Sequence, residues 1–519
     1  MELVLQAYHN WLENTENEGT TSDSRFEKRL MVAVEKLRPR KSLNPFKSKE
    51  LRQVSEFALL QLIQSMIYLE KANLALDQLM ENDDLVTALS KQTDYQECFR
   101  FMRLSLTHWT DNPVILAMQA NLLRVNGSID AALVLYDEAC ASVSAIRAVL
   151  ARGIYFDWLD MLICSPLGLT LEGDLLEQNT LSTCTFMRCM LLSLTNQHDS
   201  AAPLLQKFGF RYRVHPSVWK TAASCIHGHT PNAQSLSNII CWKGAVVPPL
   251  LSRSLKECFK PSSEYWLETN YANNGYFSFW TGLKEETNIV DRLIQRHLLP
   301  MLSKTMDTSA IVGAEWWVHT REMKGDIGHR LHFDTDETGV ERNGTIFHPL
   351  VSSVLYLDGF DHAHAGATVV FDQNVESKQM SQNAWLCSPS NGSFMCFPGN
   401  LLHGVFPTAP HTCESRQNRL TLMVGFWHID VGHTRRLYGP CGFIPRRTRQ
   451  HTWIDALHVN LPLEDASTVE GQALQQVTPA WEKLQQRETD EFYAIPKELN
   501  QRFYCTNPED FKNQLLFNQ

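Results

Sequence analysis

The sequence predicts an α+β chain of several domains, helical in its first half and antiparallel β in its second, on three observations. At 519 residues the chain exceeds what one hydrophobic core supports, so two or three domains are expected. Residues up to about 250 carry runs with apolar positions at spacings of three and four. From about 311 the texture changes to short β-rich runs punctuated by Gly, Pro and Asn. The expected division is an α-helical domain over 1–250, a β domain with flanking helices over 251–440, and a C-terminal extension over 441–519.

In the first half, Glu56 to Glu81 repeats apolar residues at three and four without Gly or Pro, which predicts a long amphipathic helix. The basic stretch over 41–53, KSLNPFKSKELRQ, reads as an exposed loop before it. Residues 112–140 predict a helical hairpin. Asn112 can cap, Pro113 fits the first helical position, Asn126-Gly127 stops the first helix, and Ser128 can cap the second. Small residues at Ala117, Ala120, Ala131, Ala132 and Ala139 would let the two helices approach closely. The spacing resembles a tetratricopeptide-like pair, although only one unit is clear, so an irregular helical domain fits equally. Residues 195–262 are less periodic and read as a transition.

The composition, 44% hydrophobic and 20% charged, is that of a globular protein and excludes collagen, coiled coil and wholesale disorder. A formal charge of −10 disfavours general binding to phosphate backbones, so a nucleic-acid partner is not expected. No run is long enough to span a bilayer, and the N-terminus lacks a basic leader followed by an apolar stretch. The 13 cysteines form no CxxC units, which predicts reduced thiols and a cytoplasmic or nuclear setting. Asn126, Asn343 and Asn391 each open an N-x-S/T tripeptide, but each also begins an Asn-Gly dipeptide, so turn chemistry accounts for them.

In the second half, the runs AEWWVHT, HRLHFDTD, PLVSSVLYLD, ATVVFD, NAWLCS, SFMCFPG, LLHGVF and RLTLMVGFW predict strands of an antiparallel sandwich or barrel. Asn391-Gly392 is a hairpin signal, and Pro398-Gly399-Asn400 is a tight turn just before the strand carrying His403. Glu285 to Leu299 predicts a helix packed on this sheet from outside, and further helices are expected near 470–487.

The chemistry concentrates in His332-Phe333-Asp334. Residues two apart on a strand share a face, so the imidazole and carboxylate can converge on one ion. A third ligand must come from another strand, and His403, in FPGNLLHGV, is the candidate. Two neutral imidazoles and one carboxylate on one face of an octahedral ion leave three positions open, the arrangement of non-haem iron(II) oxygenases. Two of these suit a chelating 2-oxo acid and one suits dioxygen. The far carboxylate of that acid needs a cation; Arg419 begins the strand RLTLMVGFW, and a guanidinium can grip a carboxylate through two parallel hydrogen bonds. Thr421 shares its face and could add a hydroxyl, and Tyr356 could supply another. Arg416 is a rival for the carboxylate.

In order, HxD, YLD, the Gly366/Thr368/Phe371 strand, FPGNLLHGV and RLTLMVGFW resemble the Fe(II)/2-oxoglutarate dioxygenase superfamily, most closely its prolyl 4-hydroxylase-like branch, over roughly 311–430. The resemblance implies a double-stranded β-helix (jelly roll), a metal triad of His332, Asp334 and His403, and 2-oxoglutarate held by Arg419 with Tyr356 nearby. It further implies iron(II) as cofactor and 2-oxoglutarate and O2 as co-substrates, leaves room for ascorbate as an accessory reductant, and gives succinate and carbon dioxide as products. Two departures stand out: the stretch between HxD and YLD and the gap from His403 to Arg419 are both longer than usual. The substrate could be a protein side chain, docked through the helical half as protein partner, or a small metabolite. A scaffold with a degenerate β domain is the third reading.

Other residues have simpler explanations. Asp336 and Glu337 could be ligands but fit a solvated rim. His362 and His364 fit a surface loop. Trp316, Trp317 and Trp427 could line a pocket, though buried sheet aromatics are commoner. Arg435, Arg436, Arg446, Arg447 and Arg449 fit a solvated basic surface.

Overall fold

The computed structural model describes residues 113–125, 127–150, 175–224, 238–244, 246–269, 277–284, 286–322, 328–358, 366–407, 418–432, 444, 452–462, 469–485, 493–495 and 503–517. The helix expected over Glu56 to Glu81 and the loop over 41–53 lie outside these residues, as do His362, His364, Arg416 and the arginines between 435 and 449. The chain divides into two compact units: Met1–Arg124 with Ser128–Arg188 and Tyr493–Pro496, and Val125–Gly127 with Cys189–Phe492 and Lys497–Gln519.

The expected helical hairpin is present in the first unit as α1 (Pro113–Val125) and α2 (Ile129–Leu150), with Gly127 at φ 81 between them. That left-handed turn is one only glycine adopts without strain. Ala117, Ala120, Ala132 and Ala139 are buried, whereas Ala131 faces solvent. The Tyr136 hydroxyl donates to Asn121 Oδ1 at 2.6 Å, tying α2 back to α1. A third helix, α3 (Leu175–Leu194), meets α2 through the Arg188–Asp137 ion pair at 2.6 Å.

The second unit opens with α4 (His198–Lys207), β1 (Tyr212–Val214), α5 (Pro216–Ser224), β2 (Ile240–Trp242), α6 (Pro249–Cys258) and α7 (Tyr265–Glu268). The stretch read as a transition is thus built of regular elements, and the first 250 residues are not purely helical. Next come β3 (Phe279–Gly282), α8 (Ile289–Arg292), a π-helical Leu293–Leu298 and α9 (Leu299–Leu302), close to the helix expected over Glu285 to Leu299. Asn288 starts it, its side-chain oxygen accepting from the Val290 and Asp291 amides at 2.8 and 3.0 Å.

Eight strands follow: β4 (Gly313–Glu322), β5 (His329–His332), β6 (Val351–Asp358), β7 (Thr368–Phe371), β8 (Ala384–Cys387), β9 (Phe394–Pro398), β10 (His403–Val405) and β11 (Asn418–Trp427). The helix α10 (Glu337–Asn343) lies between β5 and β6. The C-terminal part adds α11 (Thr452–Leu457), β12 (Gln472–Ala473), β13 (Gln475–Val477), β14 (Trp481–Lys483), β15 (Tyr504–Cys505) and α12 (Asp510–Phe517).

The helices expected near 470–487 are not formed. Pro479 cannot donate within a helix, and the segment instead completes sheet edges, β12 against β2, β13 against β8 and β14 against β1. Edge strands offer unpaired backbone groups that such short segments satisfy.

One sheet has seven strands in the order β12-β2-β9-β6-β11-β4-β3, and another has five in the order β13-β8-β7-β10-β5. A third small sheet orders β14-β1-β15, and all the pairings are antiparallel. Side chains from both large sheets meet in an apolar layer containing Val354, Tyr356, Val370, Trp385 and Met395. On its other face the seven-stranded sheet carries Trp316, Val318, Leu422 and Val424, covered by residues of α6, α8 and the π-helix such as Leu255, Val290 and Leu293. Alternation therefore assigns Leu420, Leu422 and Val424 of β11 to the helix side, and Arg419, Thr421 and Met423 to the space between the sheets.

Trp316 is fully buried on the helix side, 4.7 Å from Phe279 and 6.1 Å from Phe259 between ring centroids. It is core, not pocket lining. Trp316→Ala should therefore cost about 3–5 kcal/mol, read as a lower denaturation midpoint; an unchanged midpoint would contradict this packing. Among the described residues there is no disulfide, and no helix is long and apolar enough to cross a membrane.

Candidate metal centre

The sequence HRLHFD places its two polar ligands around a strand end. Leu331 and Phe333 are buried, and alternation leaves His332 and Asp334 on the opposite side. His403 opens β10, which pairs antiparallel with β5 so that His403 stands opposite His332. Direct cross-strand partners have neighbouring side chains, and the two imidazole centroids are 4.3 Å apart. Gly404 permits this approach, since a Cβ there would come within 2.9 Å of the His329 carbonyl and of Leu331.

The atoms converge as a metal site requires. One ligand atom from each of His332, Asp334 and His403 lies within 4.8 Å of the other two. Asp334 Oδ1 is 3.5 Å from His403 Nε2 and 3.7 Å from His332 Nε2. Each imidazole is fixed from behind: Nδ1 of His332 meets the Arg330 carbonyl at 3.0 Å, and Nδ1 of His403 meets the Leu401 carbonyl at 3.0 Å. A carbonyl only accepts, so both Nδ1 atoms carry the proton, and each Nε2 presents a lone pair when the ring is neutral. The second carboxylate oxygen, Asp334 Oδ2, accepts from the Ser352 hydroxyl at 2.6 Å.

At Asp334 and His403, charge and burial oppose each other, and charge prevails. Burial alone would raise Asp334, but the charges of His403 and His332, with hydrogen bonds from His403 and Ser352, hold it below the usual carboxylate range. Burial lowers His403, yet the facing Asp334 carboxylate outweighs it and raises this imidazole. His332 is pushed down to about 3 by burial, with the charge of His403 adding to it. This set of two imidazole nitrogens and one carboxylate oxygen fits a divalent first-row ion such as iron(II).

Arg419 lies 4% exposed on the inner face of β11. Its Nη1 donates to the Gly366 carbonyl at 2.7 Å and its Nη2 to Thr368 Oγ1 at 3.3 Å. The guanidinium carbon sits 5.0 Å from the centroid of the Tyr356 ring, a cation–π distance. The Tyr356 hydroxyl bonds the same Thr368 oxygen at 2.8 Å. Thr421 faces the interior as alternation requires, its hydroxyl donating to the His319 carbonyl at 3.4 Å. Arg419, Tyr356 and Thr421 are thus brought to one interior region.

Three residues that the sequence did not single out, Ser352, His319 and His348, complete the surroundings together with Thr368 of the Gly366/Thr368/Phe371 strand. Ser352 holds Asp334; it lies on β6 four positions before Tyr356, so alternation alone placed it on the same face. Thr368 links Arg419 to Tyr356. His319 stands opposite Thr421 on the inner face of β4, and is pushed down to about 3 by burial, with Arg321, His332 and Arg419 contributing. His348 Nδ1 donates to the Asp334 carbonyl oxygen at 2.7 Å. Asp336 precedes α10, its amide donating to the Phe347 carbonyl at 2.9 Å, and neither it nor Glu337 joins the converging ligand atoms. Trp427 packs with Trp280 and Val431.

No family model matches the chain, and no curated protein matches its sequence. Among solved structures, the chain is similar to a prolyl-4-hydroxylase from Pseudomonas putida at 17% identity, covering 37% of this chain and 88% of that one, with a TM-score of 0.24. It is similar to HygX from Streptomyces hygroscopicus, solved with nickel and 2-oxoglutarate bound, at 12% identity, 37% and 83% coverage and a TM-score of 0.23. SnoK, a non-heme alpha-ketoglutarate-dependent carbocyclase from nogalamycin biosynthesis, matches at 10% identity, 40% and 90% coverage and a TM-score of 0.25. At these TM-scores the likenesses support no functional conclusion, which rests on the site's own geometry.

Proposed function

We propose that this chain is an iron(II)- and 2-oxoglutarate-dependent dioxygenase whose β domain is a double-stranded β-helix. One observation carries the proposal: two imidazole Nε2 atoms and one carboxylate oxygen, from β5, its C-terminal end and β10, converge on a single point. The strand order supports the fold, since β4, β6, β9 and β11 lie in one sheet and β5, β7, β8 and β10 in the facing one. That division suits a jelly roll.

His332, Asp334 and His403 would hold iron(II) by one face and leave the opposite face open. With 2-oxoglutarate and dioxygen, iron(II) bound there would supply oxidative decarboxylation to succinate and carbon dioxide, coupled to oxidation of the substrate. The protein's own residues do the positioning. The Arg330 and Leu401 carbonyls lock both imidazole rings, and Arg419, fixed by Gly366 and Thr368, presents a cation for the distal carboxylate of the co-substrate. The apolar layer between the sheets keeps bulk water from the Arg419 end.

Anaerobic titration of the full chain with iron(II) and 2-oxoglutarate tests this directly. A visible charge-transfer band that needs both components, and that a chelator abolishes, is the expected result. Absence of the band at saturating concentrations of both would remove the assignment.

A further inference from the structure

The three ligands differ in what holds them. His332 and His403 are oriented by backbone carbonyls, which no side-chain substitution removes. Asp334 is oriented by a side chain: the Ser352 hydroxyl, 2% exposed, donates to Oδ2 at 2.6 Å. Only Oδ1 faces the two imidazoles. Ser352 belongs to β6, which is paired on both sides, with Phe397 of β9 and Gly425 of β11 as its neighbours. A hydroxyl on a strand bonded along both edges has little freedom to move, which is what orienting another group requires.

We infer that Ser352 is a positioning residue that restricts Asp334 to one-oxygen metal ligation. This rests on the function proposed above. A free carboxylate can turn and offer both oxygens to a cation. In a site whose other two ligands are imidazoles, that second oxygen would occupy a position needed by the co-substrate or dioxygen. By tying Oδ2 to a fixed hydroxyl, Ser352 holds the carboxylate turned with Oδ1 toward the imidazoles and so keeps three positions open.

The test uses the full chain and cobalt(II), an oxygen-stable probe whose d–d absorption reports coordination. Ser352→Ala is expected to weaken cobalt(II) binding by about 10- to 100-fold, the usual range for loss of a group that orients a metal ligand. Its cobalt spectrum should also change shape. Ser352→Thr, which keeps the hydroxyl, should restore both affinity and spectrum. Ser352→Cys, close in volume but a weak donor, should fall between them, and it carries the test if the alanine variant does not fold. Wild-type affinity and spectrum in the alanine and cysteine variants would overturn the role of Ser352 alone, as would a folded threonine variant no better than alanine. Failure of the unsubstituted chain to bind cobalt(II) would instead overturn the metal centre, and this inference with it.

Discussion

Asp334→Ala is expected to lower iron-dependent succinate release from 2-oxoglutarate by roughly 100- to 4,000-fold, with iron added in excess. Two effects combine. The substitution removes the one anionic ligand of the proposed dication site, leaving two imidazoles that cannot balance its charge. Breaking a buried charge pairing from one side costs about 3–5 kcal/mol, and each ~1.4 kcal/mol is a factor of ten in affinity. The fold should survive, because His403 is raised chiefly by its facing carboxylate and can lose its proton once Asp334 is gone. Circular dichroism and the denaturation midpoint should therefore move little while metal binding disappears. Asp334→Asn should behave alike, since its amide oxygen can still accept from Ser352 but carries no charge. Succinate release within tenfold of the parent in either variant would remove Asp334 from the metal site.

What the sequence disclosed follows from the range of the interactions involved. The run RLTLMVGFW became β11 and PLVSSVLYLD became β6 because alternation over eight or ten residues is a local signal. Asn391-Gly392 marked the turn before β9, and Gly392 does take φ 71 there. The pairing of His403 with His332 was a different matter. It joins strands separated by 70 residues of chain and is set by sheet register, for which HxD and a lone histidine give only a chemical hint. The two- and three-residue strands β2, β12 and β13 carry no periodicity at all; they exist because the large sheets have edges for them to pair with. Helices are expected near 470–487, yet GQALQQVTPAWEKL pairs with sheet edges instead. Ser352 was missed for a related reason. A serine in a strand says nothing until it is known to meet the carboxylate of a residue 18 positions earlier.

Arg419→Ala should raise the 2-oxoglutarate requirement by about 100- to 1,000-fold while leaving metal affinity nearly unchanged. Two charge-assisted hydrogen bonds to a carboxylate, at roughly 1.5–3 kcal/mol each, give this range once partial replacement by water is allowed for. Metal affinity should be spared because no triad ligand lies on β11. That contrast separates co-substrate binding from damage to the fold, which matters because Arg419 also ties Gly366 and Thr368 together and stacks over Tyr356. Loss of those contacts would lower the denaturation midpoint, but would not by itself split 2-oxoglutarate affinity from cobalt(II) affinity. Arg419→Lys should recover part of the loss, since an ammonium supplies the charge without the two-pronged geometry. Arg416→Ala is the matched control, three residues away in sequence, and should leave the 2-oxoglutarate requirement within threefold of the parent. If the requirement instead rises for Arg416→Ala and not for Arg419→Ala, the anchor moves to Arg416, and the Arg419–Thr368–Tyr356 cluster becomes a purely structural tie between the sheets.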